Sequence, residues 1–228
     1  MTGPLDFWQQ IDAPEQFSTL GPFEDAYVAA FDGGQLRLPI RVLSDGEQAL
    51  ASLIINQASF DVQEALAKAL AAKIAGFDID VVIGLPTLGL TLASAVARHL
   101  GHSRYVPLGT SRKFWYRDAL SVPLSSITTP DRKRLYIDPR MLPLVEGRRV
   151  ALIDDVISSG TSIAAGLTLM GLCDIEPVVI GAAMLQSDRW RPRLDGLDPK
   201  WTARTIGVFS TPILTPAPGG GWQRPAPG

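Results

Sequence analysis

The sequence is short of cysteine, of histidine and of net charge, and each shortage closes off a class of function. Among its 228 residues there is one cysteine, Cys173. A single cysteine rules out an intrachain disulfide and a cysteine-based zinc cluster. The only histidines, His99 and His102, flank the end of one amphipathic segment with no acids beside them. That is a poor metal site and an ordinary helix C-terminus. With 21 Lys+Arg against 23 Asp+Glu, the net charge is −2. No global positive field draws in nucleic acid or an anionic membrane, so any anion site must be local. Long apolar runs are missing too: none reaches the ~18 residues of a membrane span. The opening residues 1–6 show no basic region followed by an apolar one. A soluble, cytoplasmic protein is expected, with no nucleic acid and no membrane among its partners.

What is present suits a globular domain. Hydrophobic residues make up 46% of the chain and charged residues 19%, enough to bury one principal core. No internal repeat interrupts it. The segments Tyr27-Val28-Ala29-Ala30-Phe31 and Leu36-Arg37-Leu38-Pro39-Ile40-Arg41-Val42 flank Asp32-Gly33-Gly34-Gln35, the pattern of a hairpin with turn-permissive glycines. Asp61 with Glu64 three residues on has capping-box spacing, and Val62, Ala65, Leu66, Ala69, Leu70 and Ile74 recur at helical intervals behind it.

Short β-branched runs then alternate with helical segments. Strands are expected at 79–84, 105–108, 149–153, 177–184 and 205–209, and helices carrying Leu92, Val96 and Leu100, then Ile163, Leu167 and Met170. Strands separated by helices imply right-handed crossovers and a largely parallel α/β sheet. One stretch breaks the alternation: 109–144 is long, polar and aromatic, as expected of a flexible cover over an active site. The Pro/Gly-rich residues 215–228 are expected to form a tail without strand pairing.

The segment Val150-Ala151-Leu152-Ile153-Asp154-Asp155-Val156-Ile157-Ser158-Ser159-Gly160-Thr161-Ser162 carries the chemistry. An apolar strand leads into two adjacent carboxylates, then a small-residue loop at a helix start. Such a loop offers N–H groups and hydroxyls where the helix dipole favours phosphate. The carboxylates upstream can accept hydrogen bonds from sugar hydroxyls, so the whole outlines a phosphorylated sugar. A strand-ending helix cap would need only one aspartate, and the thirteen-residue pattern asks for much more.

This run resembles the signature of the type I phosphoribosyltransferase family, which binds 5-phosphoribosyl-1-diphosphate (PRPP). The resemblance implies a parallel-sheet α/β core with helices on both faces and a small hood from the N- and C-terminal parts. It implies that Asp154 and Asp155 bind the ribose 2′- and 3′-hydroxyls and that Ser158, Ser159, Gly160, Thr161 and Ser162 hold the 5′-phosphate, with Val156 and Ile157 between. Thr161 stands where many members have a second glycine. Gly84-Leu85-Pro86-Thr87-Leu88-Gly89 is similar to the family loop that holds the diphosphate, with Thr87, Leu88 and Gly89 contributing mainly backbone N–H groups. Ser111-Arg112-Lys113 opens the long polar segment where the family's flexible loop closes, and the adenine branch has Arg-Lys there. Arg112 and Lys113 are thus implied to neutralise the diphosphate, with Lys113 counted among the catalytic groups beside Asp154 and Asp155. The aromatic neighbours Phe114, Trp115 and Tyr116 would exclude water.

The resemblance divides the chain into 1–60, a β-ribbon that is part of the hood, 61–214, the PRPP-binding core, and the tail 215–228. It implies Mg²⁺ carried by the substrate, with Asp154 and Asp155 as the protein groups available to it, a homodimer, and transfer of the phosphoribosyl group to a nitrogenous base. Arg112-Lys113 favours a purine. Orotate or another acceptor stays open, as does a PRPP-binding regulator without turnover. Elsewhere the ordinary readings apply: Cys173 as a small core residue, Trp8, Trp190, Trp201 and Trp222 as packing aromatics, and Arg132-Lys133-Arg134 as a solvated basic run.

Overall fold

The computed structural model describes residues 7–124 and 133–226, so that Arg132 lies outside the described residues. Five strands come before and around the first two long helices: β1 (Ala26–Phe31), β2 (Gly34–Val42), β3 (Ala49–Ala51), α1 (Phe60–Ile74), β4 (Val81–Gly84), α2 (Gly89–His99) and β5 (Val106–Pro107). A short ribbon follows, β6 (Ser121–Pro123) with β7 (Arg134–Tyr136), then β8 (Val150–Ile157), α3 (Thr161–Leu172) and β9 (Val179–Gln186). The chain closes with α4 (Arg191–Asp195), α5 (Lys200–Ala203), β10 (Thr205–Thr211), β11 (Ile213–Pro216) and β12 (Trp222–Gln223).

The main sheet runs β10-β9-β8-β4-β5, and every pairing in it is parallel. A parallel sheet needs cover on both faces, and its residues show it. From β8, Ala151 and Ile153 pack with α1 and α2, whereas Val150 and Leu152 pack with Ile163, Leu169 and Met170 of α3. Helices therefore cover both faces, as expected. Leu66, Leu70 and Ile74 of α1 are wholly buried, each such side chain contributing about 1.5–3 kcal/mol by leaving water.

The strand order sets the position of any ligand. The chain builds outward from β4 to β5, then returns to the other side of β4 for β8, β9 and β10. The crossover connections diverge between β4 and β8, and open α/β sheets bind ligands in the crevice at the carboxyl ends of such a pair.

A second, antiparallel sheet of order β1-β2-β3-β11-β12 stands beside the first. The β1–β2 hairpin forms as the pattern predicts, with Phe31 opposite Gly34. The two sheets are tied by Gln186, whose Nε2 donates to the Ala51 carbonyl at 2.6 Å in a buried setting.

Four local expectations are corrected. The cap of α1 is Ser59, whose Oγ accepts the Val62 N–H at 3.3 Å, and Asp61 sits in the first turn, where a carboxylate favours the dipole instead. β8 runs four residues past Ile153, so Asp154 and Asp155 lie inside the strand. Within 109–144, β6 and β7 pair and pack against α3, so this stretch is partly ordered ribbon. The described part of this tail, residues 215–226, does pair: Gly220 and Gly221 turn the chain at positive φ, and Trp222 and Phe23 exchange N–H···O bonds of 2.6 and 2.7 Å. Pro216 is tolerated because it lies past Ile213 and Leu214, the part of β11 that pairs with β3. No helix among the described residues is long and apolar enough to cross a membrane.

Candidate functional site

At the carboxyl end of β8 the apolar strand gives way to Asp154 and Asp155, which are 6% and 8% exposed. Burial is the first cause that pushes both carboxyls up from the ordinary range, and Asp154 goes further because the Asp155 charge stands beside it. Two adjacent carboxyls that resist ionising together hold a shared proton readily. Backbone helps to fix them, since the Asp155 N–H donates to Asp154 Oδ1 at 3.0 Å.

The chain then turns through Ser158 and Ser159 into α3. A cavity of about 130 Å³ opens there, lined by Asp154, Val156, Ile157, Ser158, Ser159, Gly160, Thr161, Ser162 and Ile163. Gly160 is the residue before the helix, at φ +74°. A Cβ on it would meet Leu194 and Trp190 at 3.1–3.2 Å, so glycine is required for both conformation and space. The Ser159 and Thr161 hydroxyls lie 3.0 Å apart across the loop. Val156 and Ile157 line the cavity while the Ile157 side chain packs in the core. Small hydroxyl residues at a helix start, lining an opening, suit an anion the size of a phosphate.

The second segment joins this site. β4 pairs with β8 through Gly84 and Ile153, and the Leu85 N–H donates to the Ile153 carbonyl at 2.9 Å. The chain then passes Pro86 and Thr87, joined by a cis peptide, and Leu88 before entering α2 at Gly89. Thr87 is exposed at the tip. Gly89 lies against Asp154: a Cβ there would stand 2.6 Å from Asp154 Oδ1 and 2.9 Å from its Cα. The two loops thus share one wall.

The third segment is not brought to the carboxylates. Arg112 and Lys113 are exposed, and Arg112 pairs with Asp118 at 3.0 Å. Beside them Trp115 is fastened: its Nε1 donates to Asp138 Oδ2 at 3.1 Å, and the Arg140 guanidinium lies 4.6 Å from its ring. Asp138, bridged by Arg140, is held down at about 2. Phe114 is 93% exposed and stands edge-on to Trp115. Among the other candidates, His99 pairs with Glu64 at 2.9 Å, Cys173 is half-buried with its thiol pushed up by burial, and Trp190 is buried.

Sequence reading passed over Arg193. Its Nε donates to the Ser159 carbonyl at 3.1 Å, bracing the loop from behind. The only signal was an arginine-rich run, Arg189-Trp190-Arg191-Pro192-Arg193, just after β9.

These parts form a phosphate-sized cavity, two buried vicinal carboxylates and a close second loop at the sheet's topological switch. A family model described as the phosphoribosyl transferase domain matches residues 51–202, the stretch that holds all of them. The chain belongs to this phosphoribosyltransferase family. It is thereby placed among enzymes of the pentosyltransferase class. The "Bifunctional protein PyrR" of Pseudomonas putida is 30% identical over 166 residues, 64% of this chain and 87% of that protein. The orotate phosphoribosyltransferase of Halorhodospira halophila is 29% identical over 199 residues, covering 84% and 83%. Among solved structures, an adenine phosphoribosyltransferase from Giardia lamblia shares the fold with a TM-score of 0.55 at 19% identity, covering 69% of this chain and 83% of that one.

Proposed function

We propose that the chain transfers the 5-phosphoribosyl group of PRPP to a nitrogenous base, a purine by preference, and releases pyrophosphate. The observation that carries this reading is the buried Asp154–Asp155 pair, of which Asp154 lines a phosphate-sized cavity at the β4–β8 switch. In it Asp154 and Asp155 accept hydrogen bonds from the ribose hydroxyls, residues 158–162 hold the 5′-phosphate, and Thr87, Leu88 and Gly89 present backbone to the diphosphate. The bond from C1 to the diphosphate oxygen breaks, a bond from C1 to the base nitrogen forms, positive charge gathers on the ribose between, and the proton of that nitrogen leaves with the pyrophosphate. No covalent nucleophile is needed, because positioning and electrostatic stabilisation of the departing diphosphate supply the catalysis. Arg112 and Lys113 reach that diphosphate only when their segment moves, and Lys113 takes the catalytic part of neutralising it.

Magnesium fits this site as a guest of the substrate. Among the described residues no cluster of three or more His, Cys, Asp or Glu forms a cage, whereas Asp154 and Asp155 are the hard oxygen donors that Mg²⁺ accepts alongside substrate oxygens and water. The ion would supply charge neutralisation at the diphosphate.

The purine preference rests on Arg112-Lys113, while the similarity to an orotate enzyme favours a pyrimidine acceptor. A panel of free bases with PRPP and Mg²⁺, followed by pyrophosphate release, decides between them. Release with adenine, hypoxanthine or guanine is the expected result. Release with orotate alone overturns the purine preference, and PRPP binding without turnover on any base overturns transfer in favour of a regulatory role.

A further inference from the structure

Arg193 lies on the exposed side of α4, where an arginine would ordinarily meet water or a carboxylate. Among the described residues it makes no ion pair, although Arg191 beside it binds Asp188 at 2.6 Å. Its Nε goes instead to a main-chain carbonyl thirty-four positions away, that of Ser159 in the phosphate loop, at 3.1 Å. A charged donor on a neutral carbonyl makes a stronger bond than a neutral donor would. The peptide it grips joins Ser159 to Gly160.

In a trans peptide the C=O and the N–H point in opposite directions within one plane, and this peptide is trans. Whatever fixes the Ser159 carbonyl toward Arg193 also fixes the Gly160 N–H away from it. Gly160 lines the phosphate-sized cavity, and its N–H meets no protein acceptor among the described residues. The contact also takes up a freedom that the sequence leaves open, because Gly160 at φ +74° has no Cβ to bias its conformation. Packing adds to the grip, with Leu194 of α4 and Trp190 just before it against Gly160.

We propose that Arg193 is a positioning residue of the phosphate loop: by holding the Ser159 carbonyl it aims the Gly160 N–H into the cavity, ready for the 5′-phosphate of the sugar. This rests on the PRPP reading of the site. The guanidinium also polarises the peptide it holds, so the N–H it aims is a better donor. The residue never touches the substrate.

The test compares wild type with Arg193→Met and Arg193→Lys, titrating each with ribose 5-phosphate and, separately, with pyrophosphate. The Gly160 amide resonance is followed by ¹⁵N–¹H NMR. Arg193→Met is expected to weaken ribose 5-phosphate about tenfold, the scale of one charge-assisted hydrogen bond. Lys should restore part of the loss, pyrophosphate affinity should stay as in wild type, and the Gly160 amide of the free protein should shift. Because Arg193 is exposed, the variants should keep the wild-type melting temperature. Equal ribose 5-phosphate affinity in wild type and Arg193→Met overturns the positioning role alone. A loss shared equally by pyrophosphate also overturns it, pointing to a diffuse charge effect. Failure of the wild type to bind ribose 5-phosphate overturns the PRPP reading and this role with it.

Discussion

Asp154 gives up water for a buried place in β8 against Gly89 at the start of α2, and a buried carboxyl pays for that whenever it ionises. Its pKa, raised first by burial and then by Asp155, means that folding favours the protonated pair. The contribution of the pair to stability is therefore fully present in acid, below the ordinary carboxylate range, and is lost as the pH rises through the raised value in the folded protein. Asp154→Asn removes the penalty at high pH and none of it at low pH. We expect this variant to melt at a higher temperature than wild type near pH 8, the gain shrinking toward acid, with each unit of raised pKa worth about 1.4 kcal/mol. A gain that does not depend on pH, or a loss near pH 8, contradicts the account. The same residue was legible in the sequence because the pattern around it is contiguous. Arg193 was not, because its meaning depends on a contact with Ser159 that only the fold creates.

At the scale of elements, local signals predicted well wherever the partner was also local. The β1–β2 hairpin is specified by its own turn, and the β4 and β8 strands by their own apolar runs. The end of the chain shows the converse. Its prolines and glycines read as a tail, yet Trp222 pairs with Phe23 and with Pro216, and the half-buried indole packs on the core. The partner is supplied from the other end of the chain, where no local window reaches. Deleting residues 217–228 should therefore lower the melting temperature by several degrees, because it removes β12 and uncovers Phe23, which is 4% exposed in the folded chain. An unchanged melting curve would mean that β12 adds nothing to the sheet. The segment 109–144 is a mixed case: its polarity marked it as a cover, but the alternation in Ser121–Pro123 and Arg134–Tyr136 was too short to reveal a ribbon.

At the scale of the molecule, one apolar cluster runs from Tyr27, Leu36 and Leu38 in the antiparallel sheet through Leu66, Val82 and Ala151 to Phe209. The sheet that would face the base and the sheet that holds the carboxylates are thus packed as a unit, tied at Gln186 and Ala51. The residues proposed to hold the phosphorylated sugar were legible because they follow one another in the chain. The acceptor is less legible, because its pocket would be assembled from distant segments of both sheets. We propose that the carboxylate pair and its loop bind PRPP, and calorimetric titration of Mg²⁺-PRPP into wild type and into the Asp154→Asn/Asp155→Asn double variant is the decisive measurement. Saturable binding to wild type is expected, with affinity lost about a hundredfold or more in the double variant and circular dichroism unchanged. Equal affinity in a folded double variant, or no binding to wild type, would contradict it.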